Sequence, residues 1–228
     1  MQNKLELVVF DLAGTTVKHN KEVHFSFMNA FEEEGIAISY DDANNAMGKP
    51  KPVAIHEILT VHNRVSDPLI DKIHASFQDK IVSYYRESEE VEEKPGTSEL
   101  FEFLKSKGVL VSIDTGFDRF TADVLIEKLK WKKNGLVDYS VTSDEVQKGR
   151  PEPDMIFKLM GLSNVNDSSK VMKVGDTPVD LLEGDNANVK YNIGVTTGAF
   201  TAEELQKYPH SHLISNLLKI KSLPGLFD

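Results

Sequence analysis

The run Leu7-Val8-Val9-Phe10 is uninterrupted apolar sequence that stops at Asp11, followed by the small, turn-forming stretch Leu12-Ala13-Gly14-Thr15-Thr16. Four consecutive apolar residues without alternation suit a parallel strand covered on both faces, which puts Asp11 at its carboxyl end. From about His19 to Lys94 the pattern turns helical and strand-poor. Val23, Phe27 and Phe31 recur one turn apart before Gly35, which is placed as a helix C-cap, and Leu69, Ile73, Phe77 and Ile81 make a longer stripe. Both stripes read as core between packed helices. The acidic run 87–93 reads as a solvated face, Lys94-Pro95-Gly96 as a boundary, and Thr97 as the cap of the next helix.

Beyond that boundary short apolar runs at 109–113, 139–141, 171–174 and 191–195 alternate with helical patterns at 119–130, 154–160, 179–186 and 202–207. Alternating β and α segments predict an α/β fold, a doubly wound parallel sheet of the Rossmann-like kind. The chain leaves the sheet after its first strand and returns later. The expected organisation is a core built from 1–16 and 96–228, with 17–95 inserted as a helical unit.

Composition narrows the function. The chain has 228 residues, 40% hydrophobic and 27% charged, enough to bury a full core and ordinary for a globular protein. A formal charge of −10 argues against binding nucleic acid, which rests on clustered Lys and Arg. With no cysteine there is no disulfide, thiol nucleophile or Cys-ligated zinc. No apolar run approaches the roughly 20 residues needed to span a bilayer. The polar start Met1-Gln2-Asn3-Lys4 leads into a strand rather than a signal peptide, so a cytoplasmic location and no membrane partner are expected.

Three further segments end apolar runs in polar groups: Val111-Ser112-Ile113-Asp114-Thr115-Gly116, Gly149-Arg150-Pro151-Glu152-Pro153, and Lys173-Val174-Gly175-Asp176-Thr177-Pro178-Val179-Asp180. With Asp11 they give four polar strand ends in order, as a phosphate and metal site at the carboxyl edge of a sheet requires. The four segments resemble the motifs of the haloacid dehalogenase superfamily, whose members attack phosphorus with the first aspartate of a D-x-D-G-T loop and bind magnesium. Here Ala13 replaces the second aspartate, and the loop Asp11-Leu12-Ala13-Gly14-Thr15-Thr16 looks like that of the phosphonatase (phosphonoacetaldehyde hydrolase) branch. Alanine cannot serve as the general acid and base that the second aspartate supplies.

The resemblance implies Asp11 as nucleophile forming an aspartyl-phosphate. It makes Asp11, the Ala13 carbonyl and Asp176 ligands of Mg2+, with Asp180 as ligand or orienter. Thr115 and Gly116 would bind phosphoryl oxygens, and Arg150 would neutralise them; Lys148 reads as a surface residue. A phosphonatase carries a cap lysine in a Met-Gly-x-x-Lys segment that forms a Schiff base with the substrate aldehyde, and Met47-Gly48-Lys49-Pro50-Lys51 matches it with Lys51. An iminium at Lys51 would accept the electrons of the breaking C–P bond. For that the amine must lie well below its ordinary ~10.4, through desolvation or a nearby cation, to which Lys49 would contribute. The alternatives are a noncovalent role in substrate binding, or Lys49 and Lys51 as exposed residues of a Pro-punctuated loop.

Some positions depart from the phosphonatase pattern. Ala54 stands where a histidine is expected, with His56 two residues on, and Lys18 and Phe117 replace an aspartate and a tyrosine. The tail from Gly198 is nearer to the phosphoglycolate-phosphatase type. The expected partner is a small phosphonate, phosphonoacetaldehyde being the closest guess, or a phosphorylated metabolite. A phosphomonoesterase and a non-catalytic phosphate-sensing or partner-binding module stand as alternatives. The resemblance also implies a homodimer paired through the cap.

Overall fold

The structure, a computed structural model, describes residues 4–18, 21–224 and 226–227. The polar start Met1-Gln2-Asn3 and the expected helical onset at His19 lie outside them. Among the described residues six strands, β1 (Leu7–Phe10), β2 (Leu110–Thr115), β3 (Tyr139–Thr142), β4 (Val171–Gly175), β5 (Tyr191–Val195) and β6 (His212–Ile214), form one parallel sheet in the order β3-β2-β1-β4-β5-β6. Five helices lie between β1 and β2, the first four being α1 (Glu22–Glu32), α2 (Tyr40–Asn45), α3 (Lys51–Val61) and α4 (Asp67–Glu87). The others are α5 (Thr97–Ser106), α6 (Arg119–Lys128), α7 (Asp154–Ser163), α8 (Pro178–Asn186) and the short α9 (Ala202–Leu205).

The apolar run of β1 is covered on both faces, as its lack of alternation requires. Leu7 and Val9 pack with Met155, Ile156 and Leu159 of α7, whereas Val8 and Phe10 join the opposite cluster with Leu100, Phe101 and Leu104 of α5. Leu7 is in register with Leu110 on one side and Val171 on the other. The chain runs from β1 through β2 to β3, then crosses back to place β4 on the far side of β1. That reversal leaves a crevice at the carboxyl ends of β1 and β4, where open α/β sheets bind ligands.

Both predicted helical stripes are core. Phe27 meets Phe31 edge-on at 5.2 Å and Phe77 at 5.6 Å, locking α1 to α4. Gly35 has φ 68° and closes α1 as expected, with the Ile36 amide donating to the Phe31 carbonyl at 3.1 Å. No helix among the described residues is long and apolar enough to cross a membrane.

Several expectations are corrected. Thr97 does not cap α5: Gly96, at φ 87°, holds that place, and the Thr97 hydroxyl donates to the Thr16 carbonyl at 3.1 Å. The acidic run is not solvated throughout, because Glu93 accepts from the Trp131 indole N–H at 2.9 Å and from Ser98, and Val91 is buried. Strand β2 runs two residues further than predicted, through Asp114 and Thr115, and β6 was not anticipated.

Candidate active site

Asp11 follows the last residue of β1, and its amide donates to the Val174 carbonyl at 2.9 Å, so the sheet ladder itself fixes its position. The chain then turns at once: the Thr15, Thr16 and Val17 amides all donate to the Leu12 carbonyl, and the Thr16 hydroxyl donates to the Asp11 carbonyl at 2.8 Å. The Ala13 carbonyl takes part in none of these bonds, and Ala13 lines the cavity beside Asp11.

Beneath Asp11 lies a fully buried group of charges. The Arg150 guanidinium donates to Asp11 Oδ1 at 2.7 Å, to the Asp114 carbonyl at 3.0 Å and to the Asp114 carboxylate, and through Nε to Glu183 at 3.0 Å; Asp180 Oδ1 is 3.0 Å from it. Lys173 Nζ meets Asp114 Oδ2 at 2.7 Å, Glu183 at 2.8 Å and Asp180 at 3.1 Å. A planar fork of donors can hold several carboxylates at fixed angles where a lysine holds them only by charge. Burial works against both cations, yet the surrounding carboxylates, Asp114 foremost, hold Arg150 and Lys173 above their ordinary values. Burial alone would raise Asp114, but Arg150 and Lys173 keep it low. Glu183 goes the other way, pushed to about 8 by burial and by Asp114.

Asp176 follows β4. It accepts from the Thr15 hydroxyl at 2.7 Å and the Ala199 amide at 2.6 Å, which aim it at the loop after β1. Asp180 is fixed by a reciprocal capping box with Thr177 at the start of α8, its carboxylate accepting from the Thr177 hydroxyl at 2.6 Å. Oxygens of Asp11, Asp176 and Asp180 lie within 4.8 Å of one another, all buried. Burial, opposed mainly by Arg150, lifts Asp11 to about 8, and burial with the nearby Asp180 lifts Asp176 to about 6. An all-oxygen cluster whose carboxylates resist ionisation in this way fits a hard divalent cation such as magnesium, which would relieve that resistance. Asp180 already has Arg150, Lys173 and Thr177 as partners, which suits orientation better than direct ligation.

Above Asp11 is a cavity of about 30 Å³, enough for ordered water. Asp11, Thr115 and Gly116 line it from the sheet side, and Met47, Gly48 and Lys51 from the inserted helices. The Thr115 hydroxyl accepts from the Phe117 amide at 3.2 Å, leaving its own proton for an incoming oxygen. Two close backbone approaches join the halves. A Cβ on Gly116 would stand 2.7 Å from the carbonyl oxygens of Gly48 and Lys49, and Gly48, at φ 77°, lies against Thr177 and Val179.

Lys51 opens α3, with Pro52 in the first turn where a missing N–H costs nothing. Its side chain is 4% exposed, which removes the reading as an exposed loop residue. Nζ lies 5.5 to 5.9 Å from the ring centroids of Phe27, Phe77 and Phe117, and its hydrogen bond is a long 3.5 Å contact to the Ala46 carbonyl. Burial lowers its pKa from 10.5 to about 8, with Asp11 drawing it up and Arg150 and then Lys49 adding to the fall. Lys49 instead pairs with Glu57 at 2.6 Å.

The eight site residues read from the sequence thus share one crevice: Asp11, Ala13, Lys51, Thr115 and Gly116 around the cavity, with Arg150, Asp176 and Asp180 just below. His56 is not among them; it is exposed on α3, as Lys148 is on its loop. Asp114, Lys173 and Glu183 were missed as participants. Asp114 and Lys173 sit inside the motif segments and show there only as polar residues interrupting buried strands.

Residues 8–193 match the family model described as haloacid dehalogenase-like hydrolase. A phosphonoacetaldehyde hydrolase from Bacteroides fragilis is 30% identical over 233 residues, covering 96% of this chain and 88% of that protein. Among solved structures, a phosphonoacetaldehyde hydrolase-like protein from Oleispira antarctica superimposes with a TM-score of 0.82 at 20% identity, covering 96% and 90% of the two chains. A hydrolase from Pseudomonas syringae gives a TM-score of 0.86 at 18% identity, covering 95% and 96%.

Proposed function

This chain belongs to the haloacid dehalogenase-like hydrolase family, and we propose that within it the protein is a phosphonatase, converting phosphonoacetaldehyde to acetaldehyde and phosphate. The observation that carries this reading is an amine, Lys51, buried among three aromatic rings in the same cavity as a carboxylate placed for attack, where Ala13 offers no acid for an oxygen leaving group. An alkyl phosphate ester needs that acid; a phosphonate activated through an imine does not.

In this reading the neutral Lys51 amine condenses with the aldehyde to an imine, releasing water, and the imine takes up one proton to become an iminium. Asp11 then attacks phosphorus from the carboxyl edge of β1. The C–P bond breaks and its electron pair enters a C=C bond as the iminium becomes an enamine, so no carbanion forms. Protonation of the enamine carbon and hydrolysis release acetaldehyde and free Lys51, and water hydrolyses the aspartyl-phosphate. The Thr115 hydroxyl and Gly116 are placed for the phosphoryl oxygens as charge builds on them, and Arg150, bonded to Asp11 from below, supplies positive charge behind the nucleophile. Magnesium held by Asp11, the Ala13 carbonyl and Asp176 would supply neutralising charge for the phosphoryl group.

Residues 17–95 act here as a cap. Met47, Gly48 and Lys51 cover Asp11 from this side, and movement of the inserted helices would admit substrate and then exclude bulk solvent. The test is magnesium-dependent phosphate release from phosphonoacetaldehyde, with Asp11→Asn and Lys51→Arg beside the wild type. Release that both substitutions abolish supports the reading. A folded protein that leaves phosphonoacetaldehyde intact yet hydrolyses p-nitrophenyl phosphate would overturn it in favour of a phosphomonoesterase.

A further inference from the structure

Lys51 lines a second cavity as well. This one, of about 180 Å³, shares Lys51 and Gly116 with the first and is walled by His74 of α4 and by Asp118, Ser143 and Asp144 of the sheet side. Its surface is mostly apolar, with Pro50, Pro52 and Val53 in the wall, but His74, Asp118, Ser143 and Asp144 bring polar groups to it, and it is large enough to hold water.

Its polar groups differ in what already occupies them. Asp118 caps α6, accepting from the Thr121 amide and hydroxyl, both at 2.9 Å. Asp144 accepts from the Arg119 amide at 3.1 Å and the Thr142 hydroxyl at 2.6 Å, and Ser143 donates to the Gly116 carbonyl at 3.0 Å. No hydrogen bond reaches either ring nitrogen of His74 among the described residues. Burial pushes this imidazole below its ordinary 6.5; Asp118 on the facing loop, Asp71 on its own helix and Asp144 draw it up, and Lys51 lowers it further. It therefore stands neutral at pH 7, with one nitrogen able to accept a proton and the other to donate one.

Imine formation makes a definite demand on this neighbourhood. Starting from the ammonium form of Lys51, two protons must leave nitrogen and finish on the aldehyde oxygen, which departs as water. Among the described residues of the first cavity the other polar side chains are committed elsewhere: Asp11 is engaged by Arg150 and kept for phosphorus, Lys49 is paired with Glu57, and the Thr115 hydroxyl is kept for the phosphoryl oxygens, while three phenylalanine rings surround the amine.

We propose that His74 relays protons to and from the Lys51 amine through the second cavity. His74 takes one proton from the ammonium, and the freed lone pair forms the N–C bond as the carbonyl π electrons move to oxygen. The imidazolium protonates that oxygen. His74 then takes a second proton from nitrogen and returns it to the hydroxyl as the C–O bond breaks, the nitrogen lone pair forms C=N, and water leaves. Charge and protons balance over the cycle, and His74 ends neutral. This inference rests on the imine reading of Lys51, and it makes His74 the general acid and base of imine formation.

The test is rapid mixing with phosphonoacetaldehyde, quenching in borohydride and mass analysis of the peptide carrying Lys51, for wild type, His74→Gln and His74→Ala. Adduct formation near pH 7 is expected to fall at least tenfold in both variants, and added imidazole to restore His74→Ala. Hydrolysis of p-nitrophenyl phosphate, which needs no amine, should be unchanged, so a folding defect is told apart from a lost relay. Wild-type adduct rates in His74→Gln would overturn the role of His74 alone. The absence of any adduct in the wild type would overturn the imine reading and the relay with it.

Discussion

Arg150 and Asp11, 139 positions apart, meet at 2.7 Å, and the same guanidinium also reaches Asp114, Asp180 and Glu183. One side chain thus ties the ends of β1 and β2 to the first turns of α8.

Removing it leaves Asp11 without its paired cation and leaves Asp114, Asp180 and Glu183 to Lys173 alone. Arg150→Met is expected to cost about 3–5 kcal/mol of stability, the range for breaking a buried ion pair from one side, and to abolish phosphate release. Arg150→Lys should recover part of the stability and little of the activity, since an ammonium cannot keep four carboxylates at fixed angles. Urea denaturation beside a phosphate assay checks both.

Lys51 is predicted to trade stability for chemistry. Its pKa is about 8 in the folded protein against 10.5 ordinarily, so between those values the unfolded chain holds a proton that the folded chain has lost. Stability attributable to this group therefore rises with pH across that window, and the deficit is complete below about pH 8. Lys51→Met should be inactive yet more stable at pH 7, by up to about 3 kcal/mol at 1.36 kcal/mol per pKa unit, with the gain shrinking toward pH 10. Urea midpoints at pH 7 and pH 9.5 decide it; an equal gain at both would contradict the assignment of burial as the cause.

The same amine sets an acid limb on the rate. Below about pH 8 turnover of phosphonoacetaldehyde should fall as Lys51 protonates. Asp11, raised to about 8 by burial, titrates in the same direction, so p-nitrophenyl phosphate is the control. A limb present with both substrates would belong to Asp11, and one seen only with the aldehyde would belong to Lys51.

Magnesium should stabilise the folded state. Thermal unfolding with and without millimolar magnesium is expected to show a higher midpoint with the ion, by an amount that grows with concentration and corresponds to about 2.7 kcal/mol at a hundredfold excess over Kd. Asp176→Asn should remove the shift, because its carboxylate supplies the second of the three clustered oxygens.

Much of this architecture was legible in the sequence because its signals are local. An apolar run ending in Asp11 states a strand end within a few positions. What was illegible depends on distant encounters. Glu183 looks like any polar residue of a surface helix until β4 and α8 bring it against Lys173 at 2.8 Å, and His74 sits one position past the apolar stripe of α4, where a solvated residue is expected. Lys51 carried two opposed readings because a lysine between two prolines suits an exposed turn as well as a helix start. Only the packing of Phe27, Phe77 and Phe117 around it separates the two.

The meeting of Gly116 with the carbonyls of Gly48 and Lys49 is made of main chain alone. If the inserted helices act as the proposed cap, a stop of that kind sets where they come to rest without consulting the side chains around it. The residues that face a substrate can then be exchanged while the landing point stays fixed. The protein holds a constant mechanical datum beneath an interchangeable face, an arrangement by which one hydrolytic core can acquire new substrates through changes confined to its cover.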